Sequence, residues 1–380
     1  MIRVCLALSL LALTACGADS SKGGFEVGAV EDAAQFGDAQ QQMRLAADSG
    51  LRAIDLSAVW QRSESTASAS QLAGLRSAVT GAQADGIRPI ISVYQLSGDT
   101  PLTNSDRVDF ASFAASLARA LPEVRDVIVG NEPNLNLFWM PQFGPSGEDA
   151  AATEFEALLA QTYDALKAVS SSIDVAGVGL APRGSDDASS ARPTHSPTNF
   201  LLDLGRAYRA SGRTKPIMDA LSVHPYGESP RIPPTLEHTR VKSIGIADYG
   251  KLVDLLGRAF DGTAQPGREL PIIYGEYGVE SVIPAAKAGL YTGREVIRAV
   301  SESIQAQYYG EAIRLAACQP TVRMLLLFHV VDEPQLEGLQ SGLRYADGSP
   351  KSSLEPVRSA ALAADEHGCQ TSVSPSTGSG

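Results

Sequence analysis

Two hydrophobic rhythms alternate along the chain. Short, nearly continuous apolar runs read as buried strands, and each is followed by a stretch with apolar residues every three or four positions, which reads as a helix. Residues 25–30, 51–59, 87–94 and 124–131 form the first four runs. Residues 35–49, 68–84 and 106–121 are the helices between them, with Gly50 and Gly86 as C-caps of the first two. The second half keeps the beat, with helices at 150–170, 196–211, 246–260, 302–318 and 352–366 and strands at 173–180, 220–224, 270–276 and 322–330. Strict alternation of this kind predicts a parallel sheet with helices outside. Eight units predict an α/β fold, a single-domain (β/α)₈ TIM barrel over residues 25–370. A doubly wound open sheet is the alternative, but the first strand lacks the glycine-rich phosphate turn of that class.

Loop lengths carry a separate signal. Connections entering strands are short, such as Gly86 or Pro122-Glu123, whereas 132–149, 181–195, 225–245 and 277–301, which leave strands, are long. Barrel enzymes build their sites from the loops that leave the strands.

The first 15 residues are not fold. Arg3 and an apolar run over 4–13, too short to span a bilayer, suit a signal peptide. Leu13-Thr14-Ala15-Cys16, followed by Gly17-Ala18-Asp19, resembles a bacterial lipobox, which implies lipidation of Cys16. Residues 16–24 are then a tether, and the protein is exported and held on the membrane only through that lipid. An ordinary signal peptide and a secreted protein are the alternative. The Ser/Gly-rich tail, 371–380, is expected to be disordered.

A net charge of -12 argues against a nucleic-acid partner, which needs clustered Lys and Arg. Of four cysteines, Cys5 leaves with the signal and Cys16 carries lipid. Cys318 and Cys369 flank the last strand and helix; a disulfide and two separate buried thiols both fit. The spacings give no zinc signature, and five histidines without a ligand-like pair make a metal-dependent barrel hydrolase a weak reading. No cofactor motif is present, and oligomeric state has no sequence signal here.

Two strands end alike. Val127-Ile128-Val129-Gly130 runs into Asn131-Glu132-Pro133, and Pro271-Ile272-Ile273-Tyr274 runs into Gly275-Glu276-Tyr277-Gly278. A lone strand-end glutamate is often a solvated group. A pair at the mouth of one barrel is the equipment for glycoside cleavage by two carboxyl groups. Trp60, at the second strand end, and Trp139, in the loop after Glu132, are candidate sugar-stacking platforms. Tyr94, Tyr277, Phe328 and His329, at other strand ends, are candidate pocket residues.

Asn131-Glu132-Pro133 resembles the acid/base motif of clan A glycoside hydrolases, the retaining barrel glycosidases. Ser222-Val223-His224-Pro225-Tyr226 resembles their sixth-strand motif, Gly275-Glu276-Tyr277-Gly278 their nucleophile strand, and residues 342–351 the segment after their eighth strand. The neighbourhood is that of the cellulase-like family 5 and family 39. The resemblance implies a carbohydrate substrate, Glu132 as general acid/base with a raised pKa, and Glu276 as ionised nucleophile. It further implies Asn131 on the sugar hydroxyl beside the anomeric carbon, Tyr226 bonded to Glu276, and His224 near the acid/base or sugar. Two departures stand out. Asp55 occupies the place where family 5 members commonly have an arginine, and a third carboxylate would oppose ionisation of Glu276. Asp55 is therefore expected to point elsewhere, or to bind a substrate amine or hydroxyl. Phe328-His329 replaces the usual eighth-strand tryptophan. A carbohydrate-binding surface lipoprotein with impaired catalysis is the rival reading.

Overall fold

The computed structural model describes residues 24–369. Cys16, residues 1–15, the tether up to residue 23 and the tail from 371 lie outside the described residues. The strands are β1 (Glu26–Val30), β2 (Ala53–Val59), β3 (Arg88–Tyr94), β4 (Asp126–Val129), β5 (Asp174–Leu180), β6 (Ala220–Val223), β7 (Ile272–Tyr277) and β8 (Val322–Phe328). Each pairs in parallel with its sequence neighbours, and β8 pairs with β1, closing the barrel and excluding the open sheet. Around it lie α1 (Ala39–Asp48), α2 (Ala69–Ala84), α3 (Asn104–Ala120), α4 (Ala150–Val169), α5 (Pro197–Ser211), α6 (Tyr249–Phe260), α7 (Glu302–Ala317) and α8 (Leu354–His367). None of the described helices is long and apolar enough to cross a membrane.

Helix starts follow their caps. The side chains of Asp38, Ser68, Thr103, Asp149, Ser196 and Ser301 each accept an amide of the first turn, worth about 1 kcal/mol apiece. Asp38 also explains why the first helix begins late. Gln35, predicted to start it, instead ends a separate 3₁₀ turn, Asp32–Gln35, and α1 starts only after Asp38 caps it.

The barrel interior is layered. At the floor, Arg88 pairs with Glu26 at 2.9 Å and Asp126 at 3.4 Å, and Arg323 pairs with Asp174 at 2.6 Å. Above this is an apolar plug that includes Ala53, Ile90, Ile128, Ala176, Ile273 and Leu326. The next inward positions, at the carboxyl ends, are polar. The outward strand residues pack under the helices in the larger core.

The loops of that polar end are tied down from below. Glu31 is buried, and its Oε2 accepts the Val330 and Val331 amides at 3.0 and 3.1 Å, joining the ends of β1 and β8. Cys318, which caps α7, forms a disulfide with Cys369, just beyond α8. It closes a 51-residue span containing β8 and its long loop.

Candidate active site

Strand alternation decides which side chains reach the mouth. With Ala53 inward on β2, Asp55 and Ser57 are inward too. With Ile90 inward on β3, Ser92 and Tyr94 follow, and Ser222 and His224 follow Ala220 on β6. The end of β4 needs a special backbone. Gly130 has φ +97°, and a Cβ there would lie 2.6 Å from the Phe155 ring. Glu132 itself holds φ +43°, its amide donating to the Gly179 carbonyl at 2.7 Å. A non-glycine residue with positive φ is uncommon and marks places where geometry is imposed by surroundings. The turn aims Asn131 and Glu132 at one cavity.

On β7, simple alternation from Ile273 would turn Gly275 and Tyr277 inward. The pairing with β8 slips between Tyr274 and Tyr277, and the order reverses. Glu276 faces the cavity, while Tyr277 is buried in the outer core against Tyr309, ring centroids 5.9 Å apart. Gly275 makes room for the approach of β6: a Cβ there would sit 2.4 Å from Ser222 Oγ.

The two glutamates meet across His224. Its Nδ1 lies 3.2 Å from Glu132 Oε1 and 3.5 Å from Glu276 Oε2. Tyr226 donates its hydroxyl to Glu276 Oε2 at 3.1 Å. Glu132, His224 and Glu276 each offer a ligand atom within 4.8 Å of the others, the one such group among the described residues that could hold a metal ion. Burial opposes a charged imidazole at His224, but the Glu276, Glu132 and Asp55 carboxylates outweigh it and raise its pKa.

Glu276 does not have the environment the sequence led us to expect for an ionised nucleophile. Its carboxyl is pushed up to about 7. Burial is the main cause, His224 and Tyr226 oppose it, and the nearby Glu132 and Asp55 carboxylates add to it. Asp55 does not point elsewhere. It is 4% exposed, lines the same cavity, and accepts Ser92 Oγ at 2.6 Å. Its other oxygen has no partner. Burial, opposed by the Ser92 bond and reinforced by Asp32, raises it to about 7.

The inner cavity, about 200 Å³, also includes Asp32, Tyr94, Phe138, Phe328 and His329. His329 is 9% exposed with both ring nitrogens unpartnered. Glu132 and Glu276 line a second, outer cleft of about 550 Å³ with Tyr226, Arg183, Glu280 and Arg298. The carboxyl pair thus stands at the junction of two cavities.

Three expected pocket residues are elsewhere. Trp60 is fully buried on the outward parity of β2, edge-on to Phe110, its Nε1 donating to the Glu64 carbonyl. Trp139 is fully buried against Phe155, centroids 5.6 Å apart, and its neighbour Phe138 takes the cavity position. Tyr277 is lost to the strand slip. Counting parity from Asp55 would have exposed the Trp60 error and pointed to Ser57; Asp32 and Phe138 lie beyond the strands and had no such signal. Trp139→Phe is expected to lower stability by about 1–2 kcal/mol in urea unfolding and to leave KM for a cleaved glycoside unchanged; a stacking platform would give the opposite pair of results.

No family model matches this chain, and no curated protein matches it in sequence. Solved structures do match in fold. A family 39 glycoside hydrolase from Bacteroides cellulosilyticus WH2 superposes with TM-score 0.63 at 16% identity, over 89% of this chain and 63% of its own. An exo-beta-1,4-mannosidase from Opitutaceae bacterium strain TAV5 gives 0.55 at 16%, over 91% and 62%. A monomeric beta-xylosidase from Caulobacter crescentus CB15 gives 0.55 at 18%, over 88% and 67%. The chain thus spans under two-thirds of the length of the first two. At these identities the likeness is one of fold, and it falls in the glycoside hydrolase neighbourhood that the motifs resemble.

Proposed function

We propose that this protein is a retaining O-glycosidase with Glu276 as nucleophile and Glu132 as general acid/base. The observation that carries the reading is the spacing of the pair: carboxylate oxygens on the ends of β4 and β7 within 4.8 Å of each other. Retaining enzymes hold their carboxyl groups about 5–5.5 Å apart, whereas inverting ones need roughly 6.5–9.5 Å to admit a water. In the first step a Glu276 oxygen bonds to the anomeric carbon, the glycosidic C–O bond breaks, and the Glu132 proton goes to the leaving oxygen. In the second, water attacks the anomeric carbon, its proton passes to Glu132, and the ester to Glu276 breaks. Tyr226 holds the attacking carboxylate in place, and Asn131 meets the neighbouring hydroxyl. The lipobox-like stretch ending at Cys16 supports an activity outside the cytoplasm on a lipid anchor, and the substrate is an oligo- or polysaccharide. The test is hydrolysis of a panel of aryl glycosides and polysaccharides, followed by NMR. Retained anomeric configuration in the first product, at a rate indifferent to EDTA, supports the reading. Inversion refutes it, and loss of activity with EDTA would hand the Glu132–His224–Glu276 group to a metal.

One observation favours the second reading, a carbohydrate-binding protein with impaired catalysis: the raised pKa of Glu276. The two readings separate by pH. Glu276 attacks only when ionised, so its active form exists above about 7 and is lost as pH falls through that value. The expected kcat/KM profile rises through an acid limb near 7; that apparent value belongs to Glu276, His224 and Asp55 together. Asp55→Asn removes one negative neighbour and moves the limb to lower pH. A limb near the ordinary value of 4.5 contradicts this account, and no turnover at any pH favours the binding protein.

A further inference from the structure

Adjoining the inner cavity, and sharing no lining residue with the outer cleft, is a third hollow of about 400 Å³. It shares Asp32 and Ser57 with the inner cavity, just as the inner cavity shares Glu132 and Glu276 with the outer cleft. The three hollows therefore adjoin in a row, with the carboxyl pair where the inner cavity meets the outer cleft.

The far hollow is built from an aromatic ring and amides. Phe36 follows the 3₁₀ turn after β1 and is 86% exposed, the most exposed large hydrophobic side chain among the described residues. Beside it, Gln35 donates its amide nitrogen to Asp32 Oδ1 at 2.9 Å and to the Ser57 carbonyl at 3.1 Å. Gln71 donates to the Val59 carbonyl at 3.0 Å. Both amides are thus oriented, and their carbonyl oxygens accept no bond from the described residues. Gln61, Glu64 and Ser68 complete the polar lining. A pyranose ring has apolar C–H faces and a rim of hydroxyls. A bare aromatic face flanked by fixed acceptors matches it, and it matches neither an apolar nor a purely ionic ligand.

We infer that this hollow is a distal sugar subsite in which Phe36 stacks on a residue of the same glycan chain, so that the adjoining hollows together bind a polysaccharide internally and cleavage is endo. The inference rests on the glycosidase reading for the word cleavage, but its binding part does not. With Asn131 beside the ring that is attacked, the Phe36 subsite lies on the glycon side, and the outer cleft takes the leaving chain.

The test is calorimetric titration of the Glu276→Ala protein with β-1,4-linked gluco-, manno- and xylo-oligosaccharides of increasing length. At least one series is expected to bind more tightly as it grows from two units to four. Phe36→Ala should weaken the tetrasaccharide roughly tenfold more than the disaccharide, the size of one stacking contact, and Phe36→Trp should restore the difference. Equal weakening at all lengths, or none, overturns the subsite, as does failure of every series to bind. Chain-length-dependent binding through Phe36 without hydrolysis by the wild type sinks the glycosidase reading and leaves the subsite standing. A wild type that releases only single units from chain ends refutes endo action.

Discussion

Glu276→Ala is expected to lose hydrolysis of every substrate to background, and Glu132→Ala to lose it selectively. Under the proposed double displacement, the difference follows from the two steps. Without Glu276 no glycosyl-enzyme forms, whatever the leaving group. Without Glu132 an aryl group of low pKa still departs unaided, but the second step lacks its base, and substrates with alkoxide-type leaving groups lose about 10²–10⁴-fold. Azide needs no deprotonation, so it should release the stalled intermediate of Glu132→Ala as a glycosyl azide of retained configuration. In Glu276→Ala the space left by the carboxylate admits azide on the opposite face, and the product should be inverted. Opposite configurations from the two variants, read by NMR, identify both roles at once. The same configuration from both would reject the assignment.

Lys351→Ala is expected to cost about 3–5 kcal/mol in stability, the cost of leaving one charge of a buried pair alone. The Lys351 and Asp332 side chains have no solvent exposure and meet at 2.7 Å. Lys351 also donates to Ser281 Oγ and to the Gln340 carbonyl, while Asp332 accepts the Gly342 amide and the Tyr291 hydroxyl. Burial pushes Lys351 down and Asp332 up despite the pairing, so desolvation outweighs the attraction in each. The pair is therefore expected to be a specificity device more than a source of stability. Lys351→Met with Asp332→Leu should lose less than Lys351→Ala alone in urea unfolding; a double variant that loses as much or more would show a net stabilising bridge. Because Ser281 and Gln340 adjoin Glu280 and Ser341 of the outer cleft, Lys351→Ala should also raise KM for long substrates.

Much of this was legible before any coordinates. A buried parallel strand and an amphipathic helix have different periods, so the alternating runs determined the eight units and, with them, the closed barrel. Strand ends in such a barrel converge whatever the loops do. Asn131, Glu132, His224, Tyr226 and Glu276 could therefore be brought together from sequence, and the structure gathers all five around the inner cavity and the outer cleft. The orientation of individual side chains was another matter. Trp60 and Trp139 sit where a sugar platform would, but a one-residue change of parity or one turn of a loop sends an indole into the core instead. The slip of β7 against β8 exchanges Glu276 with Tyr277 and depends on how two distant segments pair. The raised pKa values of Glu276 and Asp55 arise from burial and from the Glu132, Asp55 and Asp32 carboxylates of three different loops and strands, a sum over neighbours that no local pattern contains. Periodicity is a property of short segments and survives in the sequence; register, facing and electrostatic environment are long-range, and only the closed barrel decides them.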